Sequence, residues 1–294
     1  MGTSAKNSGA SPTSALVPSW LDAVAPDIDT AAPVQSPPNL KPNQKLPTDP
    51  TPPNQEEPNP LPAIPPEGEP NRFRTARLSF NRAARGGSIR NSLGRSVSEY
   101  VRSAMGGSGR AAGRIRHSSR TAGRMIGFAQ DIREHGFREA AKQFGIEDLT
   151  GKPIGEAVAR IIEAFSAPGG AIDEAITRSA WNDTLLEAVE LGLTDFEALT
   201  PEQWSGLIEL YIAKSIELRV FNDVGNDSVS NAADVEHLNA IQSELHELIF
   251  GAVHGRVSPL IEAGRRFSDA ELQQMADNIY ELAFAYLEEL GGEE

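Results

Sequence analysis

The chain has 294 residues, a formal net charge of −14 at pH 7 and no cysteine. Without cysteine it cannot form a disulfide, a thiolate zinc site or a cysteine nucleophile. No basic leader runs into an apolar segment and no run approaches the roughly 18 apolar residues of a membrane span, so we expect a soluble, cytoplasmic protein without a membrane partner.

The charges are segregated along the chain. Residues 1–70 carry three lysines against eight acidic residues, and residues 71–124 carry thirteen arginines against Glu99 alone. Residues 125–294 carry eleven basic residues against thirty-two acidic ones. An all-arginine block between two acidic regions can bind a polyanion, or it can bind the acidic region of its own chain.

Composition and charge together predict three parts. They are a disordered Pro-rich tail over residues 1–71, an Arg-rich basic helical region over 72–130 and an acidic α-helical domain over 131–294. Seventeen of the twenty-one prolines fall in the first seventy residues. Because proline fixes φ and lacks an amide donor, we expect this segment to be an extended tail rather than helix or sheet.

One apolar cluster interrupts the tail, in the sequence LVPSWLD. Trp20 is a costly residue to leave in water, which favours a short peptide that docks on a partner. The alternatives are an incidental apolar spot or a segment that covers its own domain. The predicted docking residues are Leu16, Val17, Pro18, Trp20 and Leu21.

A helical pattern follows, interrupted at Gly86-Gly87 and Gly106-Gly107. On a helix turning about 100° per residue, five arginines fall within an arc of roughly 160°, and apolar residues gather opposite. These arginines, the basic face, are Arg110, Arg114, Arg116, Arg120 and Arg124; the opposite residues are Ala111, Ile115, Ala122 and Ile126. Guanidinium groups bind phosphates bidentately, so nucleic acid is one candidate partner of the basic face. An acidic surface, on this chain or on a partner, is the other.

Amphipathic helices are predicted for the acidic region. Thr194, Thr200 and Ser268 each precede a Glu or Gln by three positions, as in a capping box, and Pro201 suits a first helical position. Apolar residues then recur at helical spacing in three stripes: Trp204, Leu207, Ile208, Tyr211 and Leu218; Leu238, Ile241, Leu245 and Leu248; and Leu272, Met275, Ile279, Leu282, Tyr286 and Leu290. No alternating run is long enough for a sheet, so the predicted fold class is all-α.

Motifs of catalysis are absent from the sequence. The five histidines form no H-E-x-x-H pair, and no G-x-S-x-G elbow presents a serine. We therefore expect neither a metal nor a cofactor, and we expect a protein that is not an enzyme. A hydrolase with dispersed catalytic residues would require carboxylates or histidines that converge only in the folded domain.

Several segments together resemble a known family. They are MGTS at the start, LVPSWLD in the tail, RFRTARLSFNR, LGRSVSEYVR over Leu93–Arg102 and SRTAGRMIGF over Ser119–Phe128. In this order they resemble the QatB subunits of the bacterial Qat anti-phage defence systems, more clearly before residue 155 than after it. The resemblance implies a subunit without a catalytic motif, encoded beside an ATPase, a QueC-like enzyme and a TatD-like nuclease.

The resemblance also implies a modification of the N-terminus. In this family the QueC-like enzyme is expected to join a deazaguanine-type base, through an amide, to the N-terminal glycine, which is Gly2 here. Residues alone do not assign Gly2, because many chains begin Met-Gly; Lys6 departs from the N-myristoylation pattern, which requires Ser or Thr at that position. The expected function is thus a modified adaptor subunit, and the alternative is a nucleic-acid-binding subunit that uses the basic face.

Overall fold

Every regular element in the described part of the chain is helical, which confirms the all-α fold class. The computed structural model describes residues 71–146, 149, 152–165, 172–225 and 235–292. The helices are α1 (Arg74–Ala84), α2 (Ile89–Glu99), α3 (Ser108–Gly113), α4 (Arg116–His135), α5 (Phe137–Lys142), α6 (Ile154–Phe165), α7 (Ile172–Glu190), α8 (Pro201–Val220), α9 (Val235–Val253), α10 (Ser258–Ile261) and α11 (Asp269–Glu289). Tyr100–Met105 and Phe221–Gly225 are π-helical, and Leu290–Gly292 is a 3-10 turn.

Residues 1–70 of the predicted tail lie outside the described residues. So do Gly2 and the docking cluster of Leu16, Val17, Pro18, Trp20 and Leu21. The predictions made for these residues therefore stay predictions.

Two of the three expected capping boxes begin helices. At α8 the amide of Gln203 donates to the Thr200 hydroxyl at 3.3 Å, and the Thr200 amide donates to the Gln203 side chain at 2.8 Å. Ser268 makes the same reciprocal pair at the start of α11. These side chains satisfy amide donors that have no partner within the helix, which fixes where each helix starts.

The helix start predicted at Thr194 is wrong. Residues 193–195 have no regular structure, and the Glu197 amide donates instead to the Asp195 carboxylate at 3.1 Å, in a local turn. Pro201 explains why the helix is capped by Thr200 and not by Thr194. Proline holds the residue before it in an extended conformation, which makes Thr200 the cap.

Glycines interrupt the helices in the basic region where the sequence predicts. Gly86, Gly106 and Gly107 have φ values of +89°, +80° and +102°, which side-chain-bearing residues rarely adopt. The prediction of one continuous helix beyond Gly107 is wrong, however, because α3 ends at Gly113 and α4 begins at Arg116. The amides of Arg114 and Ile115 close the end of α3 with short-range bonds to Ala111 and Ala112, which turns the Ile115 side chain into the core.

One apolar core joins the basic and the acidic regions. It runs from Ala76 in α1 to Leu287 in α11. Phe128 lies at its centre, with ring centroids 5.2 Å from those of Phe144, Phe165 and Trp204. All residues that the structure describes belong to one compact unit, within residues 61–294.

The apolar stripes of α8 and α9 face this core. The prediction that the stripe of α11 does so is partly wrong. Leu272 and Ile279 are buried, whereas Leu282 and Tyr286 are 51% and 43% exposed. The core face of α11 contains two alanines instead, at residues 276 and 283, together with Tyr280, Phe284 and Leu287. Small residues let neighbouring helices approach, so side-chain size rather than hydrophobicity alone sets the buried face.

The helices α4 and α11 meet closely at two glycines. A Cβ on Gly127 would lie 2.9 Å from Leu272 Cδ1, and one on Gly123 would lie 3.3 Å from the Leu272 carbonyl oxygen. A side chain at either glycine would require Leu272 or the α11 backbone to shift, so the glycines favour this close contact, which lies beside the groove described below. Among the described helices, none has both the length and the apolar character needed to cross a membrane.

Candidate functional site

Part of the arginine block contacts the acidic region of its own chain. The Arg77 guanidinium donates to the Asp223 carbonyl at 2.9 and 3.1 Å, and Arg90 pairs with Glu244 at 2.7 Å. Arg102 donates to the carbonyl of Glu288 at 3.1 Å. The positive charge of the block is therefore partly satisfied within the chain.

The predicted basic face lies on two helices. Arg116, Arg120 and Arg124 follow one another at four-residue spacing on α4, so they share one side of that helix. Arg110 lies on α3, and Arg114 follows the end of α3. The Arg110 side chain lies over Gly106, where an added Cβ would be 2.9 Å from Nη1.

The five arginines of the basic face differ in their partners. Arg124 donates to the carbonyls of Ala164 at 2.9 Å and Phe165 at 3.3 Å, at the carboxyl end of α6. A cation at a helix carboxyl end satisfies orphan carbonyls and the helix dipole, so Arg124 is held structurally. The side chains of Arg110, Arg116 and Arg120 are exposed. None of these side chains makes a hydrogen bond or ion pair with another residue that the structure describes.

A groove runs beside the basic face, between α4 and α11. One part has a volume of about 450 Å³ and is lined by Arg120, Arg124 and Arg266, with Phe144 on one side. A second part, of about 410 Å³, shares Arg120 with the first and extends toward the amino end of α4. We call the two parts together the α4–α11 groove.

In the second part of the α4–α11 groove, the two sides carry opposite charge. Arg116 and Arg120 lie on the α4 side, and Asp277 and Glu281 on the α11 side. Asp277 accepts hydrogen bonds from Ser119 and, at 2.9 Å, from Gln273. A groove of this kind suits a ligand or peptide that carries both charges better than it suits a continuous polyanion, because its acidic side repels phosphates.

A largely buried polar network, which the sequence did not reveal, connects the π-helical turn after α2 to α7 and to the carboxyl end of α8. The Tyr100 hydroxyl donates to Asp223 Oδ2 at 2.9 Å, and Arg219 Nε donates to the same oxygen at 3.1 Å. Arg219 also pairs with Asp173. Burial, and then the Asp223 charge, raises the pKa of Tyr100 well above its usual value of 10.0.

Both π-helical turns take part in this network, since Tyr100 begins one and Asp223 lies in the other. A π turn adds one residue to the helical repeat and so shifts every later side chain around the helix. The only signals in the sequence are the glycines that end the turns, Gly106 and Gly225, and these do not identify a π-helix.

Three of the histidines have structural partners. His237 Nε2 lies 2.7 Å from the Ala83 carbonyl, and His246 and His254 lie 3.0 and 3.2 Å from Glu217 and Glu209. The described residues contain no group of three or more histidines and acidic side chains placed to hold a metal ion.

Comparison with known proteins identifies a family. A family model described as "Qat anti-phage system associated protein QatB" matches residues 106–287. The matched segment contains the basic face and most of the residues that line the α4–α11 groove. Neither the curated proteins nor the solved structures contain a significant match to the chain.

Proposed function

The chain belongs to the QatB family and is a component of the Qat anti-phage defence system, and from this premise we propose that it is a non-enzymatic subunit modified at Gly2. The proposed modifying enzyme is QueC-like, and the proposed group is a deazaguanine-type base. Family membership is the observation that carries the proposal. The helical domain then serves as an adaptor for the operon partners, an ATPase and a TatD-like nuclease among them.

The proposed reaction is simple for the substrate. Once Met1 has been removed, the α-amine of Gly2, with a pKa of about 8, attacks an activated carboxyl carbon on the base. An amide bond forms, the activating group leaves with its electron pair, and the amine releases a proton. Glycine lets the backbone enter a narrow pocket, because it has no Cβ that would clash there.

The mass of the N-terminal peptide tests this proposal. We expect protein co-expressed with its operon neighbours to give a peptide that lacks Met1 and carries a deazaguanine-sized addition on Gly2. Protein expressed alone is expected to lack the addition. An unmodified peptide in both samples, from an operon that protects cells from phage, would contradict the proposal.

A matched pair of variants locates the site. Gly2→Ala keeps a small second residue and a free α-amine but adds a methyl group at the reacting residue, so we expect it to lower the modified fraction strongly. Gly9→Ala makes the same change seven residues further on, and we expect wild-type modification. Equal modification of both variants would show that the enzyme does not recognise glycine at position 2.

A second candidate function, nucleic-acid binding, is favoured by the exposure of Arg110, Arg116 and Arg120. Under this alternative, the double variant Arg116→Glu, Arg120→Glu loses salt-sensitive DNA retention and keeps its N-terminal modification. The control is Arg178→Glu, an exposed arginine on α7. Failure of the wild-type complex to retain DNA even at low salt would exclude the alternative.

A further inference from the structure

We infer that a groove away from the basic face docks an acidic segment of a partner protein, with an apolar side chain of that segment inserted between arginines and a tyrosine. The groove has a volume of about 410 Å³. Its walls come from α1 and α2 on one side and from α9 and the carboxyl end of α11 on the other. We call it the Arg–Tyr groove; its principal lining residues are Arg82, Arg90, Arg95, Leu248, Tyr286 and Leu290.

The charge of this groove favours an acidic occupant. Three guanidinium groups line the Arg–Tyr groove, and its described lining contains no carboxylate. Arg90 is 66% exposed and pairs with Glu244 at 2.7 Å, outside the lining. Arg82 is exposed, and its side chain makes no ion pair or hydrogen bond with another part of the described chain. Guanidinium groups so placed favour carboxylates on whatever fills the groove.

An exposed apolar surface continues from the groove along α11. Tyr286 is 43% exposed and Leu282, one turn before it on the same side of α11, is 51% exposed. Leu248 lines the groove together with Tyr286 and is 6% exposed. Tyrosine and arginine around a leucine-lined hollow are the composition typical of the centre of a protein interface, and a hollow of this size holds an apolar anchor.

A protein segment fits this surface better than a nucleic acid does. The helices of the second wall carry glutamates close by, Glu244 on α9 and Glu288 on α11. A phosphate backbone carries charge at every nucleotide and would be repelled along that wall, whereas a peptide can place its few carboxylates only beside the arginines. A phosphate backbone also has no apolar side chain that could fill the hollow.

This inference goes beyond the proposed function. It concerns residues of α1, α2, α9 and α11 and requires no chemistry at Gly2. Failure of the N-terminal modification would therefore leave it intact, and failure of docking would leave the modification intact.

Photo-crosslinking in the assembled complex tests the inference. The full chain, with p-benzoylphenylalanine in place of Tyr286, is co-expressed with its operon neighbours, irradiated and analysed by mass spectrometry of the crosslinked peptides. We expect an adduct with a segment of another protein that contains several carboxylates and an apolar residue. The matched control places the same group at Leu191, which is 72% exposed and does not line the groove.

Charge reversal in the crosslinkable chain separates docking from chance proximity. We expect the double variant Arg82→Glu, Arg95→Glu to lower the adduct yield by about tenfold or more, because attraction becomes repulsion. Arg178→Glu should leave the yield unchanged. Circular dichroism checks that the variants fold, and a Tyr286→Ala chain tested for retention of the same partner provides a second measurement.

Several outcomes would overturn the inference. They are an adduct with a neutral or basic segment, with a second copy of this chain or with nucleic acid, and a yield no higher than at the Leu191 control. An adduct yield that the double variant Arg82→Glu, Arg95→Glu leaves unchanged would overturn it as well.

Discussion

At the scale of single residues, Tyr100 connects two parts of the chain that differ in charge. Its hydroxyl bonds the Asp223 carboxylate, which lies 123 positions away and also accepts from Arg219. The phenol is fully buried, and its ring stacks on Phe73 at a centroid distance of 5.9 Å. The hydrogen bond is therefore made in an apolar setting, where a missing donor is costly.

We predict that Tyr100→Phe lowers the free energy of unfolding by about 1–1.5 kcal/mol, because Asp223 loses one donor and keeps Arg219. Urea denaturation measures this change. Tyr286→Phe removes the same hydroxyl from an exposed ring and should change stability by less than about 0.5 kcal/mol. Equal effects of the two substitutions would mean that the buried hydrogen bond contributes nothing.

Side-chain burial in the basic region could be predicted from the sequence, but ionic partners could not. The four apolar residues expected opposite the basic face, Ala111, Ile115, Ala122 and Ile126, are all buried. Local periodicity determines which side of a helix is apolar. The partner of Arg77, by contrast, lies 146 positions away, and that of Arg90 lies 154 positions away. No local pattern indicates such pairs.

At the scale of elements, the helix starts provide a matched comparison. We predict that Thr200→Ala and Ser268→Ala each lower the free energy of unfolding by about 1 kcal/mol, because each removes a cap from a long helix. Thr194→Ala alters a residue of the same sequence pattern that caps no helix, and we expect a change below about 0.5 kcal/mol. Thermal or urea unfolding of the three variants checks this order, which a large effect at Thr194 would contradict.

The cap of α11 also predicts a pH dependence. The pKa of Glu271 is lowered to about 2, first by the Ser268 backbone amide and then by the Arg265 guanidinium and the Ser268 hydroxyl. A carboxyl group with a lowered pKa stabilises the fold above its unfolded value of 4.5 and loses that contribution as the pH falls toward 2. NMR titration should show a low pKa for Glu271 that rises in Ser268→Ala; an equal pKa in both proteins would contradict the capping geometry.

The exposed residues of α11 show where periodicity fails. Leu282 and Tyr286 continue an apolar stripe at helical spacing, yet they face outward, and Ala276 and Ala283 take the core side. Because α11 packs closely on its neighbours, its buried face is the one with small residues as well as large ones. The sequence alone therefore did not reveal that Tyr286 lines the Arg–Tyr groove.

At the scale of the whole molecule, the buried tyrosines predict alkaline unfolding. Burial raises the pKa of Tyr100, Tyr211 and Tyr280 above 10.0, and all three are fully buried. In the folded protein they keep their protons at a pH where the unfolded chain releases them. The free energy of unfolding thus has its full value below about pH 10 and falls as the pH rises above it.

Absorbance at 295 nm and circular dichroism, recorded together during an alkaline titration, measure this behaviour. We expect the three tyrosines to ionise in the same cooperative step in which the helical signal is lost. Their ionisation one by one, with helix content unchanged, would show that the core admits solvent to them.

The core also unites the two charged blocks of the sequence. Arginines of α1 and α2 bind groups that follow residue 220, and the Phe128 ring in α4 packs on Trp204 in α8. Among the described residues, the exposed side chains of Arg110 on α3, of Arg116 and Arg120 on α4 and of Arg82 in the Arg–Tyr groove have no such partner and can contact other molecules. The molecule thus separates arginines that hold the fold from arginines that face outward.

The sequence by itself determined the all-α class, two of the three helix caps, the glycine breaks and the buried side of the basic region, because each depends on residues within a turn or two of one another. Its motifs also predicted the family. Only the tertiary structure decided which arginines are paired, where α3 ends, which side of α11 is buried and how two grooves form. Except for the end of α3, which short-range hydrogen bonds close, these features depend on contacts between residues far apart in the sequence, and their geometry follows from packing that no local pattern specifies.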